Sequence, residues 1–226
     1  MDIYLYCLYL IAYLVLLVWG FRSANNRSLW TFSNLVFLVV IGLIVDNGII
    51  VSGNLIGEGP ILEGLNRVRF WTHALFTPLL VLFSWDALRM ADIHWAKKKS
   101  AFGFAVIYTM TLIVTELLLE TFGLDLKPER QFGILRYVST DPATGPPIMI
   151  LLVTVILLLV GAILWKKTDW KWMFIGTVVM TIGSMVPIPL ESAAITNGFE
   201  LILLLCLVMT KRHQDKLNSR KKRNFS

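Results

Sequence analysis

Apolar residues in this chain gather into long runs, with "IMILLVTVILLLVGAIL" the extreme case, and the polar residues fall in short stretches between them. Seven runs stand out, over roughly 3 to 21, 31 to 56, 69 to 90, 101 to 121, 147 to 165, 172 to 188 and 192 to 210. Helices of about twenty apolar residues cross roughly 30 Å of hydrocarbon. A transmembrane barrel would instead leave short alternating segments. The pattern therefore predicts an all-α fold, a polytopic bundle of seven transmembrane helices. The division between the last two runs rests on Pro187 and Pro189 in "VPIPLES", where the missing N–H groups and fixed φ break a helix.

Composition agrees with the pattern and charge orients it. The chain is 56% hydrophobic with a mean hydropathy of +0.69. Of its 21 lysines and arginines, 16 fall on one side if the N-terminus is outside, leaving Arg67, Arg69, Lys127, Arg130 and Arg136 on the other. Basic residues mark the cytoplasmic side, so the N-terminus is expected outside and the C-terminus in the cytoplasm. Two units follow: a seven-helix domain over 1–211 and a basic cytoplasmic tail over 212–226. The tail reads as disordered and topology-setting, with attraction to anionic lipid, about 1 kcal/mol per basic residue, as the functional alternative. The expected partner is the lipid bilayer, without nucleic acid. Short loops and no retrieval signal point to a bacterial cytoplasmic membrane. The sizeable loop, 122–146, reads as a short interfacial helix, a lid or a plain connector. Cys7 and Cys206 lie toward opposite faces and form neither a disulfide nor a metal motif.

Charges inside the runs carry the chemistry. On this topology 11 of the 15 acidic residues are outside or in the outer part of the membrane, where an unpaired carboxylate is expensive. In the second run Asn47, Asn54 and Glu58 share a helical face with Asp46 one step round, and Gly53 with Gly57 permits close approach of another helix. In the third, Arg69, His73 and Thr77 descend one face. In the fourth, Thr109, Glu116 and Glu120 align. In the seventh, Thr196, Asn197 and Glu200 follow one another, with Glu200 near the midplane. Thr177, Thr181 and Ser184 add hydroxyls that commonly bond back to their own helix. Each has a bland alternative: interhelical glue for Asp46, Asn47 and Glu200, snorkelling for Arg69, a satisfied core histidine for His73, solvation for Glu120. Together they predict an outward-facing polar pocket. Glu200, His73, Glu116 and Asp46 are its acid–base candidates, and Arg69, Asn47, Asn54, Asn197 and Thr196 its binding candidates. The fifth run and much of the first are left to face lipid.

"RFWTHALFTPLL" in the third run and "GFELILLL" in the seventh resemble the microbial rhodopsins. There an arginine precedes a Thr-Pro-Leu-Leu as Arg69 precedes Pro78, and a Gly-Phe leads into Leu-Ile-Leu-Leu as at Gly198-Phe199. The resemblance implies a related seven-helix arrangement. It does not extend to the chemistry. The lysine that carries retinal in that family is replaced by Thr196, and the carboxylate three residues after the arginine by Thr72, so a covalent retinal Schiff base is excluded.

Three functions fit. The first is a pocket that binds or processes a lipid or small amphiphile, by general acid–base chemistry or through a divalent cation held on carboxylates; His73 alone does not make a multi-histidine zinc site. The second is an ion- or proton-coupled transporter or channel. The third is a structural membrane protein.

Overall fold

In the computed structural model, which describes residues 2–23, 31–141, 148–185, 192 and 194–224, the protein is mostly helical. Its helices are α1 (Asp2–Ser23), α2 (Leu35–Ile56), α3 (Pro60–Phe76), α4 (Leu79–Met90), α5 (Lys99–Glu116), α6 (Ile148–Thr168), α7 (Trp172–Met185) and α8 (Ile195–Asn224). Four stretches are long and apolar enough to cross a membrane: Asp2–Arg22, Phe32–Ile56, Lys99–Thr121 and Ile148–Thr168. α7 is apolar but shorter, and the apolar half of α8 is interrupted by Glu200. The break expected at Pro187 and Pro189 lies outside the described residues.

The expected third span begins earlier, at Pro60, and is two helices in line. Thr77 and Pro78 both keep right-handed helical backbone angles, but Pro78 has no N–H to donate and so interrupts the hydrogen-bond ladder. α3–α4 packs against α2 on one side and α6 on the other; α1 joins α2 to α8, and α7 joins α8 to α6. α5 lies outside this ring, against α4.

Small residues set the closest approaches. A Cβ on Gly161 of α6 would stand 2.8 Å from the Cα of Phe174 in α7, and one on Gly176 of α7 would stand 2.6 Å from the Cβ of Cys206 in α8. Such contacts let helices gain dispersion energy where lipid supplies no hydrophobic drive.

Four expectations are corrected. The 122–146 loop contains no interfacial helix over its described part; it forms an antiparallel hairpin of β1 (Leu126–Gln131) and β2 (Ile134–Ser139). Its two-residue turn, Phe132-Gly133, has φ of 53° and 84°, the left-handed pair a tight hairpin requires. The approach allowed by Gly53 is made by the Leu135 carbonyl of this hairpin, not by a helix. The fifth run does not simply face lipid: Met149, Val153, Leu157, Val160 and Leu164 of α6 are buried. The tail is helical, since α8 continues to Asn224.

The end of the bundle opposite the hairpin is tied by polar contacts. Asp86 of α4, fully buried, accepts from the Ser33 backbone N–H at 2.9 Å and pairs with Arg89 at 2.6 Å. Gln214 donates to the Ala87 carbonyl, Trp170 donates to Thr210, and the Arg212 guanidinium lies 3.6 Å over the Trp19 ring.

Candidate functional site

Helices α2, α3, α4, α6 and α8, with one residue of α7, line a shared cavity. From α2 come Asp46, Leu43, Gly42 and Val39; from α3–α4 come Arg69, Thr72, His73, Phe76, Thr77 and Leu80. α6 gives Ile150, Val153, Thr154 and Leu157, and α8 gives Glu200, Leu203 and Leu204, with Met180 of α7 between them. The spacings of three, four and seven are those of a single helical face. Gly42 keeps α2 close, for a Cβ there would meet Phe76 at 3.2 Å.

The lining changes character along its length. Asp46, Arg69, Thr72, His73 and Glu200 stand at the end nearer the hairpin, and Val39, Leu80, Leu157, Leu203 and Leu204 at the other. Seven residues of α2 separate Asp46 from Val39, which at 1.5 Å per residue makes the cavity about 10 Å deep. Beyond its apolar end lie the buried Phe83, Leu88, Leu164, Leu207 and Val208.

Arg69 is held in place by its partners. Its Nε donates to Asp46 Oδ1 at 2.6 Å and its Nη1 to Asn66 Oδ1 at 2.7 Å, and Asn66 is fixed in turn by donating to the Leu62 carbonyl. The arginine side chain is 15% exposed and does not snorkel outward. Thr72 spends its hydroxyl proton on the Arg69 carbonyl, and Thr77 Oγ1 lies 3.3 Å from His73 Nδ1. Glu200 differs from all of these: among the described residues it forms no hydrogen bond or ion pair.

The structure thus brings Asp46, Arg69, His73 and Glu200 together and places the other candidates elsewhere. Glu116 is buried on α5, outside the ring. The alignment with Glu120 fails because residues Leu117–Thr121 form a π turn, and the buried positions step from Glu116 to Thr121. Asn47 faces away from the cavity, donating to its own Leu43 carbonyl and to Asn197 Oδ1 at 3.0 Å. Asn197 also receives the Tyr13 hydroxyl on its carbonyl, so the two amides join α1, α2 and α8. Asn54 donates to the Gly133 carbonyl of the hairpin, and Thr196 is exposed. Thr177 and Thr181 bond back to the carbonyls of Met173 and Thr177.

The apolar lining had little sequence signal, because every face of a lipid-embedded helix is apolar. Thr154, the one polar residue in the α6 run, was the available clue. The divalent-cation reading finds no support here: among the described residues no group of three His, Cys, Asp or Glu side chains is placed to hold a metal. No protein-family model, no curated protein and no solved structure matches the chain.

Proposed function

We propose that the protein is a seven-helix membrane protein, with its N-terminus outside and its C-terminus in the cytoplasm, that binds a small amphiphile in the cavity beneath the hairpin. The number of spans and the orientation rest on the apolar runs and on the uneven distribution of basic residues along the chain. The membrane is a bacterial cytoplasmic membrane, as the short loops suggest.

One observation carries the reading: the cavity is polar at one end and apolar at the other, with an apolar floor. It encloses about 100 Å3. One water needs roughly 10 to 15 Å3 by a comparable measure, so a single short chain of about seven heavy atoms fits and a two-chain lipid does not. Burying such a chain yields about 0.8 kcal/mol per CH2. The role is binding; Asp46 and Arg69 are engaged with each other, which suits a fixed polar rim.

The transporter alternative needs a polar route past Leu80, Leu157, Leu203 and Leu204, and these side chains offer none. The structural alternative accounts for Asn47, Asn197 and Asp86 but leaves Glu200, which has no hydrogen bond or ion pair among the described residues, in a cavity without purpose.

The test is calorimetric titration of n-hexyl amphiphiles into the protein in lipid nanodiscs, with empty nanodiscs subtracted. Wild type should bind at least one of hexanol, hexylamine and hexanoate. Gly42→Leu, which fills the cavity beside Phe76, should lose that binding by about tenfold or more. Binding that survives Gly42→Leu in a folded protein would place the ligand elsewhere and overturn the proposal.

A further inference from the structure

Resting on the cavity reading above, the charges at its polar end say which head group the amphiphile carries. Asp46 and Arg69 neutralise each other at 2.6 Å. Glu200 has no such counterpart: among the described residues no lysine or arginine other than Arg69 lines the cavity, where the imidazole of His73 is the other nitrogen side chain, and Glu200 makes no hydrogen bond or ion pair. An unpaired carboxylate among Leu203, Leu204 and Met180 is costly wherever water is sparse. A ligand that supplies the missing positive charge removes that cost, whereas an anionic head would add to it.

The neighbouring polar atoms point the same way. The Thr72 hydroxyl proton is committed to the Arg69 carbonyl, so toward the cavity its oxygen can only accept. An ionised carboxylate likewise only accepts, whereas an ammonium has three donors and no acceptor. Phe76 lines the cavity as well, and aromatic rings attract cations. Below these groups the wall is mainly aliphatic, with Thr77 and Thr154 as its hydroxyls, so the charge must sit at one end of a largely apolar chain.

We infer that the cavity binds a small primary alkylamine in its ammonium form, with the nitrogen on the Glu200 carboxylate and the alkyl chain directed toward Val39, Leu157 and Leu204. The interaction is an ion pair and hydrogen bonding alone, with no bond made or broken.

The experiment compares head groups on one chain: hexylamine, hexanol and hexanoate titrated at neutral pH into wild type, Glu200→Gln and Glu200→Asp in nanodiscs. Hexylamine should bind wild type about tenfold or more tighter than hexanol, the effect of one charge-assisted contact, with hexanoate weakest. Glu200→Gln should bring hexylamine to the level of hexanol and leave hexanol within about twofold, while Glu200→Asp retains the amine preference in part. Hexanol or hexanoate binding wild type as well as hexylamine would overturn the ammonium assignment and leave the amphiphile reading standing. Binding of hexylamine unchanged in Glu200→Gln would overturn it too. If none of the three binds wild type, both readings fall. The wild-type ranking decides the question even if a variant does not fold.

Discussion

Asp46 is tolerated inside an apolar helix because Arg69 lies against it, and Arg69 is tolerated because Asp46 and Asn66 take two of its N–H groups. Breaking such a pair leaves one charge stranded, which costs more than removing both. Asp46→Asn should therefore destabilise the protein by about 3 kcal/mol, and Asp46→Asn with Arg69→Met by clearly less, when unfolding in mixed micelles is followed by circular dichroism. Equal losses in the single and double variants would mean that the stranded arginine carries no penalty of its own. Asp86 makes a similar case at the other end, because its removal strands the Ser33 N–H. Asp86→Ala should cost about 1 to 3 kcal/mol in the same measurement. At this scale the sequence was informative in one respect. A charge within an apolar run announces that it has a partner or a purpose, and that signal marks Asp46, Arg69, His73 and Glu200, which line one cavity. It does not say which. Asn47, Asn54 and Glu116 are equally conspicuous, but two of them hold the bundle and hairpin together and the third lies on α5.

Helix lengths and hydropathy located most of the elements, but the packing between elements depends on contacts that leave faint traces in a sequence. β1, "LKPERQ", is polar on both faces, and its turn lacks the asparagine or aspartate that signals a tight hairpin. The burial of α6 depends on Gly161, which looks like any other glycine in an apolar run. Its role is testable by contrast with Gly48, where a Cβ would meet nothing within 4 Å. Gly161→Ala should cost about 1 to 3 kcal/mol because backbone must move, while Gly48→Ala should be neutral or stabilising by up to about 1 kcal/mol. Similar effects at the two sites, by thermal unfolding, would contradict the close α6–α7 contact.

The polar and basic composition of the α8 extension predicts disorder, but Trp19, Ala87 and Trp170 give it partners. The His213 ring lies flat on Trp170, with centroids 3.9 Å apart. Burial, with Lys216 close by, holds its pKa below the ordinary histidine value. The undocked tail then takes up a proton more readily than the docked one. Docking is at full strength above the ordinary value of about 6.5 and weakens as pH falls through it toward the lower docked value. Amide exchange over residues 211–217, corrected for intrinsic rates, should accelerate on mild acidification in wild type and lose that dependence in His213→Gln. Unchanged protection in wild type would show that the stack does not couple to protonation.

At the level of the whole molecule, a ring of helices surrounds a cavity with a charged rim and an apolar floor, and a hairpin and a helical extension cap the two ends. The central claim is that the cavity communicates with one side of the membrane only. It is tested by placing single cysteines at Thr72, Met180 and Leu203 in a background lacking Cys7 and Cys206. A membrane-impermeant thiol reagent is then applied to right-side-out and inverted vesicles, with Lys98→Cys as the cytoplasmic control. The account predicts modification of Thr72→Cys from the outside alone and of Lys98→Cys from the inside alone. Modification of Thr72→Cys or Leu203→Cys from the inside would contradict it.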